Sequence, residues 1–117
     1  MAGVGDCLFC SIAAKKVSAA IVLETDKSIA FRDINPKAPV HVLVIPKVHI
    51  DNLMALELPH ADLLMDIHQT IQKVARQEGV AANGFRVAVN NGRDSGQAVG
   101  HLHYHVLAGR KLSWPPG

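Results

Sequence analysis

Apolar and polar positions follow two periods along this chain, and the change of period marks its elements. AIVLET (20–25) and SIAFRD (28–33) read as strands, joined across Asp26 and Lys27 as a hairpin. NPKAP (35–39) is a loop fixed by two prolines, and HVLVIP (41–46) is the near-continuous apolar run expected of a central strand, which Lys47, Val48 and His49 leave. From Pro59 to Glu78 the period lengthens. Leu64, Ile67, Ile71 and Val74 recur at three- and four-residue spacing, Asp66, Gln69, Gln72, Lys73 and Arg76 fill the other face, and Gly79 sits where a C-terminal cap belongs. FRVAVN (85–90) alternates like a strand, NNGRDSGQAVG (90–100) is a loop of turn formers, and HLHYHVLAG (101–109) returns to strand. The first segment, DCLFCSIAAKKV (6–17), reads as a short helix, and the prolines of the tail SWPPG cannot donate to a ladder.

Short helix, three strands, long helix, two strands: helices grouped in this way predict an α+β fold. Its sheet is expected to be five-stranded and largely antiparallel, with one long helix and a short N-terminal one. At 117 residues the chain is expected to form a single domain over 1–117.

Composition narrows the classes of function. With 49% hydrophobic and 19% charged residues the chain is too apolar to be disordered. The formal charge of +2 is spread rather than gathered into a stripe, so a nucleic-acid partner is not expected, while small anionic ligands stay open. No run approaches the 18 or so apolar residues of a membrane span, and MAGVGDC lacks a basic leader, so no membrane partner and a cytoplasmic location are expected. The two cysteines, Cys7 and Cys10, form a C-x-x-C pair, which in a reducing compartment points to metal or redox chemistry more than to a structural disulfide.

The candidate chemistry lies in HLHYHVL (101–107). With a strand period of two, His101, His103 and His105 share one face and Leu102, Tyr104 and Val106 the other. One reading is a partly solvated row without chemistry. A second is metal binding by all three, which a straight strand resists, since the outer pair stands roughly 13 Å apart and a zinc–nitrogen bond is about 2.0 Å, although two of them with ligands from elsewhere stay feasible. In the third, the middle imidazole is a nucleophile or base whose far nitrogen is held by a carbonyl or carboxylate, flanked by donors to an anion. The glycines of 91–100 could add backbone N–H groups there.

HLHYHVL, together with AFRDINPKAPVHVLVIPKVHI (30–50), NNGRDSGQAV and the terminal WPPG, resembles the histidine triad (HIT) family, in its nucleoside-phosphoramidase (Hint) branch, over nearly the whole chain. The resemblance implies a HIT-like fold and a homodimer. It also implies hydrolysis of the P–N bond of purine nucleoside phosphoramidates of the AMP or GMP type, through a covalent nucleotidyl-histidine and with no cofactor required for catalysis. Dinucleoside polyphosphate hydrolysis and non-catalytic nucleotide binding are the alternatives.

By position the resemblance makes His103 the nucleophile, flanked by His101 and His105, with His105 donating to the α-phosphate; His49 matches an upstream histidine near the active site. Asp33 would accept from the ribose hydroxyls, Phe31 and Ile34 would wall the base, Asn90 would contact the sugar–phosphate region, and Gly96, Gln97 and Ala98 would line the phosphate. Phe31 and Ile34 could equally be core, and Asn90 a turn former. A hydroxyl residue is common in the family where this chain has Ala98, so hydrolysis is expected to favour better leaving groups. The resemblance further implies a structural zinc on Cys7, Cys10, His49 and His101, against the alternative of two reduced core thiols. His60 and His68 are expected to be exposed and His41 packed or hydrogen-bonded. Trp114, Pro115 and Pro116 match a C-terminal end that can reach a dimer partner's active site.

Overall fold

A computed structural model describes residues 7–117, so the expected helical start at Asp6 lies outside the described residues. The chain forms α1 (Leu8–Ala13), β1 (Ile21–Glu24), β2 (Ser28–Arg32), β3 (Val40–Pro46), α2 (Ala61–Gln77), β4 (Arg86–Ala88) and β5 (Tyr104–Ala108). The five strands make one sheet in the order β1-β2-β3-β5-β4, with every neighbouring pair antiparallel. The fold is α+β, as the grouping of helices predicts.

β3 lies at the centre of the sheet and is covered on both faces, which accounts for its unbroken apolar run. Val42 and Val44, with Ala30, Leu102, Tyr104 and Val106, pack under Leu63, Ile67, Ile71 and Val74 of α2. Leu43 and Ile45, with Ile29 and Phe31, pack on the opposite face under Phe9 and Ile12 of α1. The two helices therefore sandwich the sheet, and the short one roofs the face on which the histidine row lies.

Four elements depart from the sequence reading, α1 among them, since it ends at Ala13, four residues before the expected Val17. The long helix starts at Ala61, preceded by a single 3-10 turn over Leu58–His60, and its buried stripe runs through Leu63 rather than Leu64. Thr70 joins that stripe, fully buried, because its hydroxyl lies 3.0 Å from that of Ser28, which in turn donates to Asp66 at 2.6 Å. A polar residue on the buried face is thereby satisfied, and the hairpin is tied to α2. β4 is confined to Arg86–Ala88. β5 begins only at Tyr104, whose partner is Val44; ahead of it His101–His103 leave the ladder, with Leu102 donating its backbone N–H to Ile50 O at 2.6 Å. Among the described residues no helix is long and apolar enough to cross a membrane.

Candidate active site

Although only its second half is strand, the histidine segment keeps its alternation. Leu102, Tyr104 and Val106 face α2, while the rings of His101, His103 and His105 follow one another under α1. His101 and His103 are buried, and the rings of His103 and His105 meet edge to face at 5.0 Å. Both open into a cavity of about 290 Å³, walled by apolar residues of α1 and the sheet, among them Leu8, Phe9, Ile12, Phe31 and Leu43. Its polar end carries Asp33, His103 and His105, with Ala98 and Val99 from the loop before β5.

The hydrogen bonds fix where each ring carries its proton. His103 Nδ1 lies 2.8 Å from the carbonyl oxygen of His101; a carbonyl only accepts, so Nδ1 holds the proton and Nε2 is the lone-pair nitrogen. The backbone N–H of Lys37 donates to His41 Nδ1 at 3.0 Å, so the proton of the neutral His41 ring is on Nε2. That Nε2 lies 2.9 Å from His105 Nδ1 and donates to it. His105 is left with its proton on Nε2, a buried atom without a hydrogen-bond partner among the described residues. An unmatched buried donor is costly, so its presence beside His103 marks a place made for an acceptor.

Burial pushes His105 down to about 4, and the charges that His103 and His41 would carry push the same way. Burial also lowers His41, against the opposing pull of the Asp33 carboxylate. The His41 and His105 rings are therefore neutral near pH 7, polar donors and acceptors rather than cations.

A second cluster lies behind His101. The donor atoms of Cys7, Cys10, His49 and His101 all fall within 4.8 Å of one another. Cys7 Sγ is 3.3 Å from His101 Nδ1, and Cys10 Sγ is 3.2 Å from His49 Nδ1 and 3.5 Å from His101 Nδ1. Tetrahedral zinc with bonds of about 2.3 Å to sulfur and 2.0 Å to nitrogen sets sulfur–nitrogen edges of about 3.5 Å, close to these separations. The far nitrogens complete the fit, because His101 Nε2 donates to Pro46 O at 2.9 Å and His49 Nε2 to Asp51 Oδ1 at 2.7 Å. Both Nδ1 lone pairs are thus aimed at the sulfurs, the orientation that an acceptor on the far nitrogen gives a metal-bound histidine. Burial and the adjacent Cys7 push the Cys10 thiol up to about 11, a crowding of incipient anions that a divalent cation would relieve.

The donor atoms of Asp33, His41 and His105 also cluster within 4.8 Å, but here the fit fails. The Lys37 amide occupies Nδ1 of His41 and forces a proton onto the nitrogen that would have to ligate. His41 and His105 form a hydrogen-bond chain, not a cage, with Asp33 Oδ2 3.4 Å from His41 Nε2.

The residues anticipated from sequence divide accordingly. Phe31, Asp33, Ala98, His103 and His105 line the cavity. Ile34 reaches only its rim and is 99% exposed, because Asp33 Oδ1 accepts the backbone N–H of Asn35 at 2.8 Å and the turn throws Ile34 outward. Asn90, Gly96 and Gln97 do not line it. The amide of Gln97 is spent inside its own loop, accepting from Gly92 N at 2.8 Å and donating to the carbonyls of Asp51 and Val99 at 2.9 and 3.0 Å, so it shapes the loop instead of meeting a phosphate. The ring of His101 is likewise committed at both nitrogens, so the catalytic reading of that ring is corrected: only its backbone oxygen serves His103. His49 stands in the thiol cluster and not beside His105. His68 is exposed, whereas His60 is partly buried, its Nδ1 accepting from Glu57 N at 3.0 Å. The sequence reading missed Leu8, Phe9 and Ile12; their signal was the apolar spacing within the helix that carries C-x-x-C.

Comparisons with known proteins bear on the fold and on kinship. Residues 14–112 match the HIT domain family. The chain is 44% identical over 112 residues to the adenylylsulfatase HINT1 of Arabidopsis thaliana, covering 94% of this chain and 76% of that protein. It is 43% identical over 114 residues to a 14 kDa zinc-binding protein of Brassica juncea, covering 96% and 100%. The crystal structure of a HIT family hydrolase from Legionella pneumophila superimposes with a TM-score of 0.93 at 42% identity, over 95% of this chain and 99% of that one.

Proposed function

The chain belongs to the HIT domain family, in its Hint branch, and from that premise we propose that it is a nucleotide hydrolase, specifically a purine nucleoside phosphoramidase. The observation that carries the reading is the tautomer of His103: with Nδ1–H held by the His101 carbonyl, Nε2 keeps its lone pair at the polar end of an apolar cavity. In this reading the base lies among Phe9, Phe31 and Leu43, and Asp33 accepts from the ribose diol. His103 Nε2 attacks the α-phosphorus in line, the P–N bond breaks with its electron pair going to nitrogen, and the departing amine takes a proton from solvent water at the open end of the cavity. The positive charge that develops on His103 is shared with the His101 carbonyl, while His105 Nε2–H donates to a phosphoryl oxygen as its charge builds. Water then cleaves the nucleotidyl-histidine.

Cys7, Cys10, His49 and His101 would hold a structural zinc, which supplies a cross-link and no catalytic chemistry, its four positions being filled by protein donors. The zinc-binding relative supports this assignment. The proposal includes a single HIT domain over 1–117, a homodimer and a cytoplasmic location. β4 lies at the edge of the sheet with Phe85 and Val87 exposed beside it, and two free thiols suit a reducing compartment.

Turnover of adenosine phosphoramidate by wild type and His103→Ala tests the reading, with mass detection of an adenylyl adduct on His103. Equal rates would remove the nucleophile, and AMP binding without turnover by the wild type would leave a binding module.

A further inference from the structure

Phe9 takes part in two centres at once. It stands between Cys7 and Cys10 in sequence, and its ring packs edge-on against His103 at 5.1 Å, His101 at 5.9 Å and Phe31 at 5.5 Å. It also walls the cavity together with Leu8 and Ile12. Their helix has six residues, far too few to persist on its own, so its position is set by its attachments. Cys7 and Cys10 attach it to His101 and His49. The same His101 gives its carbonyl to His103 Nδ1. The nucleophile is therefore held on two sides, by the ring of Phe9 and by the oxygen of His101, and both residues are tied to the thiol–imidazole cluster, Phe9 in addition to its packing on Phe31 and Leu43.

We propose that Phe9 is a positioning residue for His103, and that through Phe9 and the His101 carbonyl zinc at the Cys7–Cys10–His49–His101 site is coupled to nucleotide binding. The proposal rests on the zinc and nucleotide readings above. With the four donors drawn together, Leu8, Phe9 and Ile12 are already ordered when the base arrives; with free thiols, that ordering cost falls on nucleotide binding. Coupling of this kind is reciprocal: AMP must tighten zinc by the factor by which zinc tightens AMP.

The test measures AMP affinity by calorimetry on zinc-loaded and chelator-stripped protein, and zinc affinity by competition with a chromophoric chelator with and without saturating AMP. The expected factor is roughly tenfold, equal in both directions. The same AMP affinity in both forms of the protein overturns the coupling, whereas no zinc or no AMP binding at all overturns the reading beneath it. Should the stripped protein unfold, the comparison of wild type with Phe9→Ala in the chelator competition decides, since tightening that comes only from refolding persists in the variant. Phe9→Ala is expected to bind zinc as the wild type does while its AMP-dependent tightening falls toward one. Wild-type tightening in that variant, or loss of zinc binding altogether, overturns the role given to Phe9.

Discussion

His41 Nε2 donates to His105 Nδ1 across 2.9 Å, and a backbone amide, that of Lys37, sets the direction of that bond. The consequence lies at the far side of the second ring, where the proton of His105 is made available at Nε2. His41→Leu deletes the donor and strands His105 Nδ1, a loss of about 1–3 kcal/mol that should lower kcat roughly 10- to 100-fold. His41→Gln, whose amide N–H can take the place of Nε2–H, should recover most of it. Measured kcat for adenosine phosphoramidate in the two variants checks this, and equal damage in both would show that volume and not the donor matters at position 41.

The same burial makes stability depend on pH. His105 titrates near 4 when folded, against an ordinary 6.5. Between these values the unfolded chain binds the proton that the folded one refuses, so stability rises with pH across the window and is lost as pH falls from 6.5 toward 4. The loss attributable to this ring is ~2 kcal/mol. Urea unfolding midpoints at pH 7 and pH 4.5 should differ less in His105→Asn than in wild type; an equal difference would assign the acid sensitivity elsewhere.

Elements and chemistry were legible in the sequence to different depths. The run VHVLVIP announces a strand covered on both faces, and the alternation of His101, His103 and His105 survives even where the ladder does not, because Leu102 and Tyr104 are drawn into the core under α2. What stayed hidden depends on partners distant in sequence. Gln97 looks free until the carbonyls of Asp51 and Val99 are seen to claim its amide. His41 looks like an ordinary packed histidine until Lys37 and His105 are placed on either side of its ring. Thr70, which the helical pattern left unassigned, is placed on the buried face only by its bond to Ser28 at the sheet.

Zinc should be present, in about one equivalent, in protein purified without added metal. Because the four donors sit at the N-cap and in the first turn of α1, on the segment after β3 and on the segment before β5, the ion would join parts of the chain that meet only when folded. At free zinc a thousandfold above its Kd the stabilisation is about 4 kcal/mol, or roughly 10–20 °C in Tm for a chain of this size. Chelation and Cys10→Ser should each lower Tm by that order, and not additively. A metal ratio near zero, with Tm indifferent to chelator, would return both thiols to the core.

Leaving-group dependence gives the sharpest reading of Ala98. Ala98 lines the cavity beside His103 and His105, and among the described residues the buried ring N–H without a partner is His105 Nε2–H, on a group too acidic when charged to be protonated near pH 7. A departing amine must gain a proton, whereas a departing sulfate or carboxylate needs none. Ala98→Ser places a hydroxyl at this end of the cavity. It should raise kcat for amine leaving groups roughly tenfold, within the reach of assisted proton transfer, and leave acyl- and sulfo-adenylates unchanged. The measurement is a plot of log kcat against leaving-group pKa for both proteins: the serine variant should flatten the slope at its basic end. Parallel lines would mean that residue 98 has no part in protonating the leaving group.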